Sequence, residues 1–254
     1  MFITSSQHPP ASHLQVEQLQ LVDAALCAAE LGEVSAVHLA AGSSHRLQAG
    51  EYEAVSIIVA GRAETANGVA LPTGSGIIAR AGGEFTLKTS DVPARILTME
   101  GLGSRVALDG LVRQPDTRAF HVDDVADRSS HNPARGFHHM QARLLLDTAA
   151  GGWGSLLMGL GTFAPGGGCH DLHRHPNAEE FFYVWQGGGV HLGPDGSPHP
   201  VGAGDLVYVR RGEGHGFRNT TDRPALAIFG YFGVGSLGEA GYELPDPVAN
   251  YPSS

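Results

Sequence analysis

The sequence predicts an all-β protein built from two tandem units, each a sandwich or barrel of short strands. Three observations carry this expectation. Short β-branched runs recur between glycine-rich turns along most of the chain. Gly and Pro are abundant, at 36 and 15 residues, as many tight turns require. Two stretches resemble each other at a nearly constant offset. Apolar residues make up 42% of the 254 residues, enough for two β domains with cores of their own.

Residues 1–12 read as flexible, broken by Pro9-Pro10. From 14 to 31 the spacing is helical: Leu14, Val22, Ala25, Leu26 and Ala29 fall on one stripe, with Ser12 as N-cap and Gly32 as stop. Residues 1–32 are therefore expected to form an N-terminal segment with one short helix, packed at an edge or a subunit contact. The first β unit is assigned to 33–111, with strand runs at 34–39, 55–59, 77–79, 85–87 and 94–99. Residues 112–136 are polar and charged and read as a linker or exposed loop. The second unit is assigned to 137–250, with runs at 143–147, 156–163, 180–185, 206–209 and 224–232.

The repeat is visible when residues 55–61 are set beside 181–187, an offset of 126, and 74–82 beside 204–212, an offset of 130. Such close offsets indicate two copies of one β unit with a small loop insertion in the second.

The formal charge of −10 repels phosphate backbones, so nucleic-acid binding is not expected. No run of eighteen apolar residues is present, and no membrane span is expected. The first ten residues lack the basic start and apolar core of a signal peptide. Two distant cysteines, Cys27 and Cys169, make a disulfide framework improbable and a reducing cytoplasm the plain expectation.

The chemistry concentrates in the second unit. His173 and His175, one residue apart, point to the same face of a strand. Glu180 follows five residues later on the next apolar run, and His215 comes forty residues beyond His175. Three imidazoles and one carboxylate make a four-ligand site for a divalent first-row metal.

These residues fall into two spaced motifs. The first runs Gly167, His173, His175, Glu180, Gly187; the second runs Gly204, Arg210, Gly212, His215, Asn219. In both, the spacing resembles that of the cupin superfamily, with Arg210 alone departing, where the family pattern has proline. The resemblance is strong over residues 140–235 and extends weakly to 33–110 through the repeat. It implies a bicupin: two tandem double-stranded β-helix (jelly-roll) barrels, the metal motif intact only in the C-terminal one.

The resemblance implies His173, His175, Glu180 and His215 as metal ligands around one divalent transition metal, iron first, with Mn, Ni, Co, Cu or Zn also compatible. The gap to Gly187 selects Glu180 over its neighbour Glu179, which opposite parity turns outward, toward solvent. Phe182 and Val184 share the parity of Glu180 and are expected to line an apolar substrate cavity. Arg210 is a weaker pocket candidate for an anionic substrate, and Tyr208 a candidate proton donor. Cys169-His170 reads as a turn before the metal pair, and His138-His139 as exposed or as support for the ligands. Phe181, Tyr183 and Trp185 form the opposite face of their strand and should pack on the other barrel or another subunit. In the first unit Ala54 aligns with Glu180 and Phe85 with His215, and His45 has no partner two residues away, so no metal is expected there.

The implied activity is that of a metal-dependent enzyme on a small organic substrate, an oxidoreductase of dioxygenase type. Alternatives are non-redox chemistry at the same metal (isomerase, decarboxylase, lyase or cyclase) or ligand binding without catalysis. A homodimer is the expected assembly.

Overall fold

The computed structural model describes residues 1–7, 14–104, 117–127 and 133–244. The first half contains β1 (Phe2–Ser5), β2 (Val16–Val22), the one-turn helix α1 (Ala24–Cys27), β3 (Gly32–Leu39), β4 (Ser44–Gln48), β5 (Ala54–Thr65), β6 (Ala70–Pro72), β7 (Ser75–Ala79), β8 (Glu84–Lys88), β9 (Ala94–Gly101) and β10 (Thr117–His121). The second contains β11 (Phe137–His138), β12 (Met140–Leu146), β13 (Leu156–Phe163), β14 (Cys169–His173), β15 (Glu179–Gln186), β16 (Gly188–Leu192), β17 (Pro198–Gly202), β18 (Asp205–Val209), β19 (His215–Arg218), β20 (Ala225–Phe232) and the short helix α2 (Leu237–Ala240).

In each half a large sheet faces a small one. The order β10-β7-β5-β9-β3-β2 faces the pair β4–β8, and the order β1-β18-β15-β20-β13-β12 faces β11-β14-β19-β16-β17. The expected duplication is written in the register. Ala54 lies opposite Ala79 on β7, as Glu180 lies opposite Val209 on β18. Ala54 also lies opposite Glu100 on β9, as Glu180 lies opposite Tyr231 on β20.

The strands β5 and β15 are buried on both faces over most of their length, which explains their near-continuous apolar sequence. One face lines a barrel lumen and the other forms the contact between barrels. That contact is the largest core: Val55, Ile57 and Met99 of the first barrel meet Phe181, Tyr183 and Tyr208 of the second. Trp185 packs against the same core and donates its indole N–H to the Val59 carbonyl at 2.7 Å. The two lumens form separate apolar clusters, around Val37, Ile58 and Ile96 in one and Phe182, Val184 and Phe217 in the other.

The halves exchange elements. β1 precedes the first barrel but pairs with β18 of the second, and β10 precedes the second but pairs with β7 of the first. Two carboxylates at equivalent places reinforce the exchange. Glu53, before β5, accepts the backbone N–H groups of Trp153, Ser155 and Leu156 at 2.8–3.1 Å. Glu179, at the start of β15, accepts those of Glu30 and Leu31, both at 3.0 Å. Each barrel thus caps the chain entering the first long strand of the other.

Three expectations need correction. The helix over 14–31 is a strand, β2, followed by the single turn α1; its Ser12 cap lies outside the described residues. The stretch from Val16 to Val22 alternates, and pairing with β3 outweighs helical spacing. Only after Val22 does Asp23 cap a turn, its carboxylate accepting the Leu26 N–H at 2.7 Å, and Ala28 ends it at φ 57°. Within the 112–136 linker, residues 112–116 and 128–132 lie outside the described residues, but Thr117–His121 is the exchanged strand β10, and Val122 is buried. Glu179 is not solvent-exposed: it is buried, as the carboxylate cap described above. No helix among the described residues is long and apolar enough to cross a membrane.

Candidate metal centre

Four side chains converge in the lumen of the second barrel. β14 ends at His173, directly across from His215 on β19; His175 follows two residues on, and Glu180 comes from β15. One donor atom from each lies within 4.8 Å of every other. His173 and His175 approach Nε2 to Nε2 at 3.1 Å, and the Glu180 carboxylate lies 2.6 Å from His215 Nε2 and 3.4 Å from His175 Nε2. All four residues are at most 5% exposed.

The backbone sets their tautomers. His173 Nδ1 meets the Asp171 carbonyl at 2.7 Å, His175 Nδ1 the Gly241 carbonyl at 2.6 Å, and His215 Nδ1 the Glu213 carbonyl at 3.1 Å. A carbonyl can only accept, so each Nδ1 carries its proton and each Nε2 turns a lone pair toward the common point. Two such lone pairs at 3.1 Å, beside a buried carboxylate, are mutually repulsive until a cation lies between them. The donor set therefore fits a divalent metal ion.

Titration follows the same geometry. Burial, reinforced by neighbouring imidazoles, pushes the His173 pKa well below the usual value. Burial lowers His175 as well, against the pull of Glu180. For His215, burial also opposes the charge, but the Glu180 carboxylate and the Glu213 carbonyl outweigh it and raise the pKa. A cation entering the site displaces that proton, so acid competes with metal.

Local structure explains the positions. Gly187 turns out of β15 at φ 74°, where a Cβ would sit 2.6 Å from the Pro224 carbonyl oxygen. Asn219, fully buried, donates to the Phe163, Ala164 and Arg223 carbonyls and accepts from Thr221, fixing the turn after β19. At the position of the missing proline, the turn is held by Arg210 N–H donating to the Glu213 carboxylate at 3.1 Å and Gly212 N–H to the His175 carbonyl at 2.8 Å.

Phe182 and Val184 face the lumen below the ligands, with Val207, Val209 and Phe217. Arg210 does not. It is exposed, and its guanidinium bonds the Cys27 carbonyl at 3.2–3.3 Å. Tyr208 does not either. It lies opposite Phe181, one residue out of phase with Glu180, so its ring enters the inter-barrel core; burial and Glu179 push its pKa up. As a proton donor beside the ligands it is misplaced. Cys169-His170 is part of strand β14 rather than a turn. Burial and the Asp171 carboxylate push the Cys169 thiol up to about 11, which keeps it protonated. His138 pairs with Asp171 at 3.2 Å, outside the lumen.

Several residues at the site carried no motif. The His170 ring stacks on His173 with centroids 3.7 Å apart, and Phe137 stacks on His170 at 4.2 Å. Tyr242, from the segment after α2, lies 5.0 Å from the His173 ring, donates its hydroxyl to the Arg135 carbonyl and receives His170 Nε2. His191 on β16 is 1% exposed, and its ring runs parallel to His215 at 6.0 Å. Only its parity in a short strand hinted that it faces inward.

A pH dependence follows for the metal-free protein. Burial lowers His173, His175 and His191, while His215 is raised. An unfolded imidazole binds its proton below about pH 6.5. Below that pH the unfolded chain takes up protons that the folded chain excludes at these buried imidazoles, His170 among them, whereas His215 is protonated in both states. Stability therefore falls as pH drops below about 6.5, each excluded proton contributing up to about 1.4 kcal/mol per pH unit. Melting temperatures of chelated protein at descending pH check this; a flat profile contradicts it.

The sequence profile of the Cupin domain matches residues 159–231. Protein SchB of Streptomyces halstedii is 36% identical over 87 residues, which are 34% of this chain and 62% of SchB. The polyketide synthase CurC of Streptomyces cyaneus is 34% identical over 116 residues, 43% of this chain and 74% of CurC. The chain thus spans less than two thirds of SchB. Among solved structures, the formate complex of Lactobacillus farciminis oxalate decarboxylase superposes with a TM-score of 0.66 at 15% identity, over 91% of this chain and 86% of that one. That likeness establishes the two-barrel fold.

Proposed function

The chain belongs to the cupin superfamily, and from that premise we propose that its C-terminal barrel is a metal-dependent enzyme of dioxygenase type acting on a small, largely apolar organic substrate. The observation that carries this is the convergence of three Nε2 lone pairs and the Glu180 oxygen, each imidazole locked by a backbone carbonyl at its other nitrogen. Iron is the ion we propose; when bound it supplies Lewis acidity and open positions where substrate and oxygen can meet. His173, His175, Glu180 and His215 would hold it.

The other residues shape the substrate's place. Phe182, Val184 and Phe217 make the lumen apolar, exclude water and favour a hydrocarbon or ring over a small dianion. Arg210, turned away to the Cys27 carbonyl, is not placed to recognise a carboxylate there. The buried imidazole of His191, which burial keeps neutral, lies parallel to the His215 ring and is placed to exchange a hydrogen bond or proton with a substrate oxygen. The relative named polyketide synthase supports a substrate of polyketide origin. The buried free thiols of Cys27 and Cys169 support a reducing, cytoplasmic setting.

Non-redox metal chemistry is the second reading. His191 as a base beside the centre favours it, as does the likeness in fold to oxalate decarboxylase. Oxygen-electrode assays of iron-loaded protein with a panel of phenolic and thiol substrates separate the two. Oxygen consumed in proportion to substrate is the expected result. Substrate turnover at equal rate without oxygen would move the reaction to the non-redox class.

A further inference from the structure

The barrels differ most where their lumens are compared row by row. In the second barrel, Phe182 lies opposite Phe229, and Glu180 opposite Tyr231. The same rows of the first barrel are polar. Gln20, Ser35, Thr98 and Ser56 form one row across four adjacent strands. Glu33, Glu100 and Ala54 form the next. On the facing sheet, Leu47 pairs with Phe85 where the second barrel pairs His173 with His215, so the metal position has become apolar.

These rows line a cavity of about 210 Å³, closed on the far side by His45, Leu47, Ala49 and Phe85. Its space equals that of about seven water molecules. Polar groups on the inner face of a β-barrel are costly unless partnered, and the repeat shows that the fold accepts aromatic residues at these positions. Some are partnered within the wall: Ser56 and Thr98 hydroxyls lie 2.9 Å apart, Gln18 donates to Ser35 at 3.3 Å, and Glu100 accepts the Gly50 N–H at 2.8 Å. His45 Nε2 is buried and has no partner among the described residues.

The charges indicate the occupant. Glu33 and Glu100 are cross-strand partners, and like charges directly opposite repel. Burial and Glu100 raise the Glu33 pKa accordingly. Arg46, at the cavity edge, is engaged by Glu84. The two carboxylates repel an anion, whereas an ammonium group between them relieves their repulsion. The hydroxyl and amide row beside them suits a ligand with hydroxyl groups of its own.

We propose that the metal-less N-terminal barrel is a binding site for a small hydroxylated organic ammonium, of the amino alcohol or amino sugar class, held between Glu33 and Glu100 and along the row Gln20–Ser35–Thr98–Ser56. This is independent of the chemistry assigned to the other barrel.

Calorimetric titration of the metal-loaded full chain with glucosamine, ethanolamine and glucose tests it. At least one amine binds at a single site, and glucose binds weaker by about tenfold or more, the ratio that one charge-assisted hydrogen bond supplies. Glu33→Gln and Glu100→Gln each weaken amine binding to a similar degree, and Ser56→Val does so through the hydroxyl row, all with unchanged metal content. Three results overturn the proposal: neither amine binds at millimolar concentration; glucose binds as tightly as glucosamine; or amine binding survives in all three variants while each keeps the parent's circular dichroism spectrum.

Discussion

His215→Ala is expected to abolish metal retention while leaving the fold intact. His215 sits across from His173 on paired strands and, of the three histidines, lies closest to Glu180. Removing it leaves two imidazoles and a carboxylate, and the loss should exceed the 10–100-fold typical of residues that merely support a ligand. Purified variant should carry little metal by elemental analysis, with a strand-rich circular dichroism spectrum like that of the parent. His45→Ala is the control. His45 lies in the other barrel, so its replacement should change metal content little. Loss of metal in the His45 variant would mean that the wrong barrel had been assigned the site.

The second large effect is structural. Glu53→Ala leaves the N–H groups of Trp153, Ser155 and Leu156 without their shared acceptor inside the inter-barrel contact. Each unsatisfied buried donor costs about 1–3 kcal/mol, so the three together should cost at least about 3 kcal/mol. For a chain of this size that lowers the melting temperature by about 10 °C. Glu84→Ala, which removes an exposed ion pair with Arg46, should cost less than about 1 kcal/mol. Equal melting temperatures for the two variants would show that Glu53 does not couple the barrels.

The ligand set was legible because its information is local. Two histidines at spacing two, a carboxylate on the next strand and a third histidine inside a glycine-bounded hairpin are all short-range patterns. The duplication was legible because β5 and β15 keep the same place in their sheets. What escaped depends on long-range contact. Glu179 is adjacent to a ligand and of opposite parity, which reads as solvent until the first barrel is placed over it. Tyr208 follows the same logic, because the face opposite the lumen is a second core; Arg210 shares that face but lies at its exposed edge, against the Cys27 carbonyl. Tyr242 reaches His173 from a distant segment, and His191 meets His215 only once β16 is set beside β19. The N-terminal helix was misjudged because apolar residues spaced for a helix also alternate over Val16–Val22, and only the pairing with β3 decides between them.

X-ray absorption at the metal edge of the purified protein, with elemental analysis of the same sample, tests the centre most directly. One ion per chain is expected, with scattering from three imidazoles and further oxygen ligands. A folded chain that takes up no ion, or one whose ion shows no imidazole scattering, would contradict it.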